Sequence, residues 1–150
     1  MAAESTPIGP VVVGIDGSEA SLVALRHGIR EAEWRGVQVH VVHVLDVTPA
    51  VLHLQGDKTI TTGEVAEGDR AEIWRRVEPI LGDAGTEVVK VELDGKPGKA
   101  ITAYAEEAGA SVLVVGPRGR GRVEKLFLGS TAQEAIKTAT CDVLVVKSET

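Results

Sequence analysis

Along this chain, short and densely apolar runs alternate with longer stretches in which apolar residues recur at every third or fourth position. The first run, VVVGI at 11–15, is β-branched and flanked by Gly9-Pro10 and Asp16-Gly17, which predicts a fully buried strand. Ser18 then stands as a helix N-cap, and Leu22, Leu25, Ile29 and Ala32 form one apolar stripe that ends near Gly36. Residues 37–45 are apolar on both alternating faces and predict a central strand. Residues 46–63 carry Pro49, Gly56, Gly63 and several threonines, and read as a long irregular connection of the kind that often serves as a functional lid.

Helical spacing returns near Glu64, with Ile73, Val77, Ile80 and Leu81 on one side; Pro79 within that pattern is expected to kink or shorten the last turn. A strand is predicted at 86–93, then a helix from about Pro97 that carries Ile101, Tyr104, Ala105 and Ala108. A strand at 111–115, a short helix at 130–138 and a strand at 143–146 complete the series. Ser130 and Gln133 have the spacing of a capping box. Strand and helix alternate throughout and the strands read as buried on both faces. The expected fold class is therefore α/β: a single doubly wound five-stranded parallel sheet with helices on both faces. One domain is expected over 1–150, with 1–9 as a flexible tail.

In such sheets ligands gather beyond the carboxyl ends of the strands, where the strand order reverses. Glycine follows two strands there, in VVVGIDGSEAS and in VLVVGPRGRG. A 3-2-1-4-5 order sets these loops side by side, whereas 2-1-3-4-5 would pair the first with ELDGKPGK, a less convincing partner; the first order is favoured.

Composition changes this picture in one place. The net charge of −6 argues against nucleic acid or anionic lipid as a general partner. Cys141 is the only cysteine, no apolar run approaches the ~20 residues of a membrane span, and MAAESTPIGP lacks a secretory pattern, so a cytoplasmic location without membrane contact is expected. Between 116 and 131, however, Arg118, Arg120, Arg122 and Lys125 face a single acid, Glu124. Glycine lets backbone N–H groups approach oxygen closely, a helix start adds its dipole, and guanidinium forks match phosphate. The Walker spacing fails at LDGKPGKA, since Leu93 replaces the first glycine and Ala100 the hydroxyl. The dinucleotide spacing fails because Glu124 follows Gly119 and Gly121. What remains is Gly116-x2-Gly119-x9-Gly129-Ser130, which suits a polyphosphate.

That spacing, with VVGIDGS near the start, HVVHVLDV at the second strand and CDVLVV at the end, resembles the universal stress protein family over essentially the whole chain. The family divides into members that bind ATP and members that do not, and the spaced glycine motif marks the former. The resemblance implies that Gly14, Ile15 and Asp16 line the pocket floor, with Asp16 near ribose, phosphate or a bound Mg2+ ion. It implies that Val44 offers backbone atoms to adenine. Gly116, Arg118, Gly119, Arg120, Gly121 and Arg122 would wrap ribose and phosphates, and Gly129, Ser130 and Thr131 would donate to the phosphates. Ala132 stands where some ATP-binding members carry a further hydroxyl.

Other features carry blander meanings. His40 and His43, three apart on a strand, point to opposite faces and are not expected to share a metal. Cys141 reads as packing, and Trp34 and Trp74 as core or interface. The resulting expectation is an ATP-binding, nucleotide-dependent regulator or sensor with at most slow hydrolysis, acting through an unknown protein partner. An enzyme of the same superfamily is the rival class, but its HIGH or SGGxDS loop is replaced here by GIDGSEAS. A third class is an interaction module answering to another adenine nucleotide such as cAMP. The apolar last strand at a sheet edge predicts a homodimer, as is common in the family.

Overall fold

In the computed structural model, residues 8–46, 52–53, 59–60, 62–119 and 127–147 are described. The elements follow in the order β1 (Val11–Ile15), α1 (Glu19–Arg35), β2 (Val39–Leu45), β3 (Leu52–His53), β4 (Thr59–Ile60) and α2 (Thr62–Gly82). They continue with β5 (Val88–Asp94), α3 (Pro97–Glu107), β6 (Val112–Val115), α4 (Ser130–Thr138) and β7 (Asp142–Val145). The main sheet has the order β5-β2-β1-β6-β7, and every pairing in it is parallel. Counting only its five strands, this is the 3-2-1-4-5 order. The remaining two strands, β3 and β4, form a short antiparallel pair within the segment expected to be irregular.

Two cores sandwich the sheet. On one face Val11, Val13, Val39, Val41, Val112 and Val114 meet Leu22, Leu25 and Ile29 of α1 and Ile73, Val77 and Leu81 of α2. On the other, Val12, Val42, Leu113 and Val115 meet Ile101 and Ala105 of α3 and Ala132 and Ala135 of α4. Consecutive strand residues point to opposite faces, so a run of valines is the economical way to supply both cores from one strand. Each fully buried valine removes apolar surface worth about 1.5–3 kcal/mol from water, before conformational entropy is subtracted.

Burial on both faces holds for β1 and β6 but not for β5. As an edge strand β5 alternates: Val89, Val91 and Leu93 are half-buried while Lys90, Glu92 and Asp94 are exposed. Helix α2 continues past Pro79 to Gly82, so the proline does not shorten it. Helix α4 also departs from expectation. Its N-cap is Gly129, Ser130 is its first residue, and no side chain caps it. Gln133 instead donates from Nε2 to the carbonyl of Leu128 at 2.6 Å, and its N–H bonds to the carbonyl of Gly129. The capping box is therefore not formed.

Trp34 is 87% exposed and belongs to no core. Trp74 is half-buried beside the α1–α2 core, with Nε1 donating to Glu92 at 2.6 Å. Cys141, just ahead of β7, is half-buried against the α3–α4 core, and burial pushes its thiol pKa up. His40 and His43 do lie on opposite faces: His40 Nδ1 is 2.8 Å from the Tyr104 hydroxyl, and His43 Nδ1 is 2.7 Å from Glu92. No described helix is long and apolar enough to cross a membrane.

Candidate functional site

Because β1 and β6 are adjacent and parallel, the turn into α1 and the segment leading to α4 leave the sheet at the same end. The last paired residue of β1 is Ile15, opposite His43 of β2, so Val44 and Leu45 project beyond β1 at that end. Gly14 lies on the α3 side facing Ile101, and Ile15 is buried.

The β1–α1 turn is organised by side chains. Asp16 Oδ1 accepts from the Ser18 N–H at 2.9 Å and from its hydroxyl at 2.5 Å. Ser18 Oγ in turn accepts from the N–H of Ser21 at 3.2 Å and caps α1. Ser21, buried, donates its hydroxyl to the Ser18 carbonyl at 2.9 Å, and its oxygen accepts from the Asp16 N–H at 3.3 Å. Three side chains thus satisfy polar groups that a helix start would otherwise leave open. Gly17 has a φ of 84°, a left-handed conformation that side chains resist, and a Cβ there would also press on Ile73. From α2, Arg76 donates to the Gly17 carbonyl and pairs with Glu19 at 2.9 Å.

The described ends of the β6–α4 segment are joined through backbone. Gly116 lies against Ala20 in the first turn of α1. The Gly129 N–H donates to the carbonyl of the buried Pro117 at 2.6 Å, which stitches the start of the segment to its end. A Cβ on Gly129 would stand 3.1 Å from the Cα of Arg118 and 3.4 Å from the N of Gly119. A Cβ on Gly119 would stand 2.9 Å from Asp16 Oδ2. That approach is the point where the two loops meet. Asp16 spends one carboxylate oxygen on Ser18 and turns the other toward the backbone at Gly119.

The start of α4 borders the same place. Ser130 is exposed, Thr131 is half-buried, and the first turn of the helix leaves N–H groups without intrahelical partners. Arg118 is partly buried at the junction. Of the residues expected at the site, the structure brings Asp16, Gly116, Arg118, Gly119 and Gly129 together, with Ser130 and Thr131 at the adjoining helix start. Gly14 and Ile15 lie just beneath, and Val44 stands on the next strand. Arg120, Gly121 and Arg122 lie outside the described residues.

Sequence reasoning passed over Ser21, Pro117 and Arg76. Ser21 had a signal, three residues after the cap serine. Arg76 had none, being 59 residues from Gly17 in the chain. As for a divalent cation, no cluster of three acidic, His or Cys ligands occurs among the described residues. Asp16 Oδ2 is one oxygen ligand, which fits Mg2+ only where phosphate oxygens and water supply the rest.

A family model described as "Universal stress protein family" matches residues 7–147. The chain is 33% identical over 138 residues to a universal stress protein of Methanocaldococcus jannaschii, covering 91% of this chain and 81% of that one. It spans about half the length of the mycobacterial relatives that it matches. Among solved structures, a universal stress protein of Archaeoglobus fulgidus in complex with dAMP superposes with a TM-score of 0.67 at 26% identity, covering 95% of this chain and 100% of that one. A universal stress protein in complex with cAMP superposes with a TM-score of 0.70 at 23% identity, covering 94% and 98%, a likeness of fold.

Proposed function

Because this chain belongs to the universal stress protein family, we propose that it binds an adenine nucleotide, ATP in the first instance, where the β1 and β6 loops meet. The observation that carries this reading is the approach of Asp16 Oδ2 to Gly119 at the carboxyl ends of two adjacent parallel strands. Such a crevice, beside a helix start with open N–H groups, is built for phosphate. Relatives of the same fold solved with dAMP and with cAMP support an adenine nucleotide as the ligand.

In this reading the adenine rests against the projecting end of β2 at Val44, above the floor made by Gly14 and Ile15. Gly116, Gly119 and the first turn of α4 offer main-chain donors to the phosphates, with Ser130 and Thr131 adding hydroxyls; Gly129, expected to donate as well, spends its N–H on Pro117 and instead sets the turn that brings these groups together. Arg118, together with Arg120 and Arg122 near Gly121, supplies positive charge. Asp16 accepts a ribose hydroxyl or holds Mg2+, which when bound would neutralise phosphate charge.

The protein then acts as a nucleotide-dependent regulator in a stress response, a single domain whose bound state a protein partner reads. Fast phosphoryl transfer needs a positioned base and a metal framework. Asp16 is the one acid among the described residues of the two loops, and half of its carboxylate is committed to Ser18, which supports slow turnover at most. The β7 edge supports pairing of two copies through the last strand, in the cytoplasm.

Titration calorimetry with ATP, dAMP and cAMP, each with and without Mg2+, tests the reading. Saturable binding of one of them, lost in Gly129→Ala, is expected. Absence of binding by all three overturns it, and phosphate release far above background would move the protein to the enzyme class. Mass spectrometry of any small molecule released on denaturation gives an independent check.

A further inference from the structure

Helices α1 and α2 run in the same direction along one face of the sheet. Arg76 meets Gly17 and Glu19 near the start of α1, while Glu33 near its end accepts from the N–H of Gly85 just beyond α2. Between them lies an open groove of about 450 Å3, lined by Arg26, Ile29 and Arg30 of α1 and by Pro79, Ile80 and Asp83. Its floor is apolar. Two of its three charged side chains are arginines, and neither makes an ion pair or hydrogen bond among the described residues. Trp34 follows Arg30 by four positions, and so continues the strip Arg26–Arg30 on the helix surface.

Arginines on the same helices do pair where an acid is in reach, as in Arg35 with Glu31 and Arg76 with Glu19. A chain of net charge −6 gains little from leaving two guanidinium groups unpaired beside a fully solvated indole. Tryptophan and arginine around an apolar centre are, by contrast, the residues that dominate binding energy at protein interfaces. We infer that the α1–α2 groove and Trp34 form a docking surface for an acidic amphipathic helix of a partner protein. The apolar stripe of that helix lies along Ile29, Pro79 and Ile80, and its flanking carboxylates reach Arg26 and Arg30. The complementary charge selects the partner and speeds its encounter, while the apolar floor and Trp34 hold it. The surface is separate from the nucleotide crevice and does not depend on it.

Two labelled peptides of about 20 residues, long enough to sustain a helix, test this. They share one leucine stripe and differ in carrying glutamate or lysine beside it. Fluorescence anisotropy with the full chain should show saturable binding of the glutamate peptide and none of the lysine peptide. Arg26→Glu with Arg30→Glu, and separately Trp34→Ala, should each weaken binding by at least about tenfold. All three side chains are exposed, so an unchanged melting temperature is the folding control. Equal binding of both peptides, no binding by either, or unaffected variants would overturn the proposal. An oligonucleotide that binds as tightly and is lost in the same double variant would assign the strip to polyanions instead. A change of mass by light scattering in Arg30→Glu would assign it to a second copy. Either result refutes the helix partner.

Discussion

The two loops that meet at Gly119 are built on opposite plans. The β1–α1 turn is a closed side-chain circuit: Asp16, Ser18 and Ser21 satisfy one another and the helix start, and one glycine takes the left-handed corner. At the start of α4 no such circuit occurs among the described residues. Gly129 is an N-cap without a capping side chain, and a main-chain bond from Gly129 to Pro117 joins the described ends of the segment. A helix start that its own residues have satisfied has little left to give a ligand. One that is left open retains donors and dipole for an anion. The comparison therefore assigns the first loop mainly to shaping the crevice, and the second to gripping what enters it.

This division is open to attack, most strongly at Gly129. Gly129→Ala forces a methyl against backbone at Arg118 and Gly119, and nucleotide affinity should fall by well over tenfold, or ~1.4 kcal/mol, in calorimetry. Retained affinity would mean that the second loop is not the grip. Next comes Gly17→Ala, which strains a left-handed residue and crowds Ile73; chemical denaturation should show a loss of about 1–3 kcal/mol. A smaller step separates the two serines. Ser18→Ala removes a formed cap and should cost about 1 kcal/mol of stability. Ser130→Ala removes none and should leave stability within about 0.5 kcal/mol while still weakening nucleotide binding. If the two substitutions cost the same stability, the contrast between the loops fails.

The smallest effect lies away from both loops, at His40. Burial lowers its pKa from the ordinary value, against a raising influence from Glu87. A histidine whose folded pKa is depressed contributes stability that is complete above its unfolded value and is lost as pH falls through and below it. Between about pH 7 and 5, His40→Gln should therefore lose slightly less stability than the parent, read from melting temperatures across that range. A steeper acid slope in the variant would contradict this.

Much of the architecture was legible from periodicity, because apolar spacing reports which faces are buried, and burial selects strand or helix. The valine runs of β1 and β6 could serve only strands covered on both sides. Even the neighbourhood of the two glycine loops followed from the favoured strand order. The errors came where two patterns compete for one residue. Ser130 and Gln133 have capping-box spacing, but Gly129 takes the cap because its bond to Pro117 starts the helix one residue earlier. Trp34 reads as core or interface by residue type, and its position on α1 turns it outward, which removes the first of these. Strand β5 reads as alternating along the chain, and its place at the sheet edge explains why its acids and lysine face outward.

The sequence by itself determined the α/β class, the succession of elements, the two glycine-bearing turns and the Asp16-Gly17-Ser18 corner. These follow from local sterics and from periodic burial, which act within a few residues. Tertiary structure alone decided that Asp16 faces Gly119, that Arg76 braces Gly17 from 59 residues away, and that α1 and α2 leave an arginine-lined groove between them. Such contacts are set by how separate elements pack over a shared sheet, and no spacing along the chain encodes a distance across it.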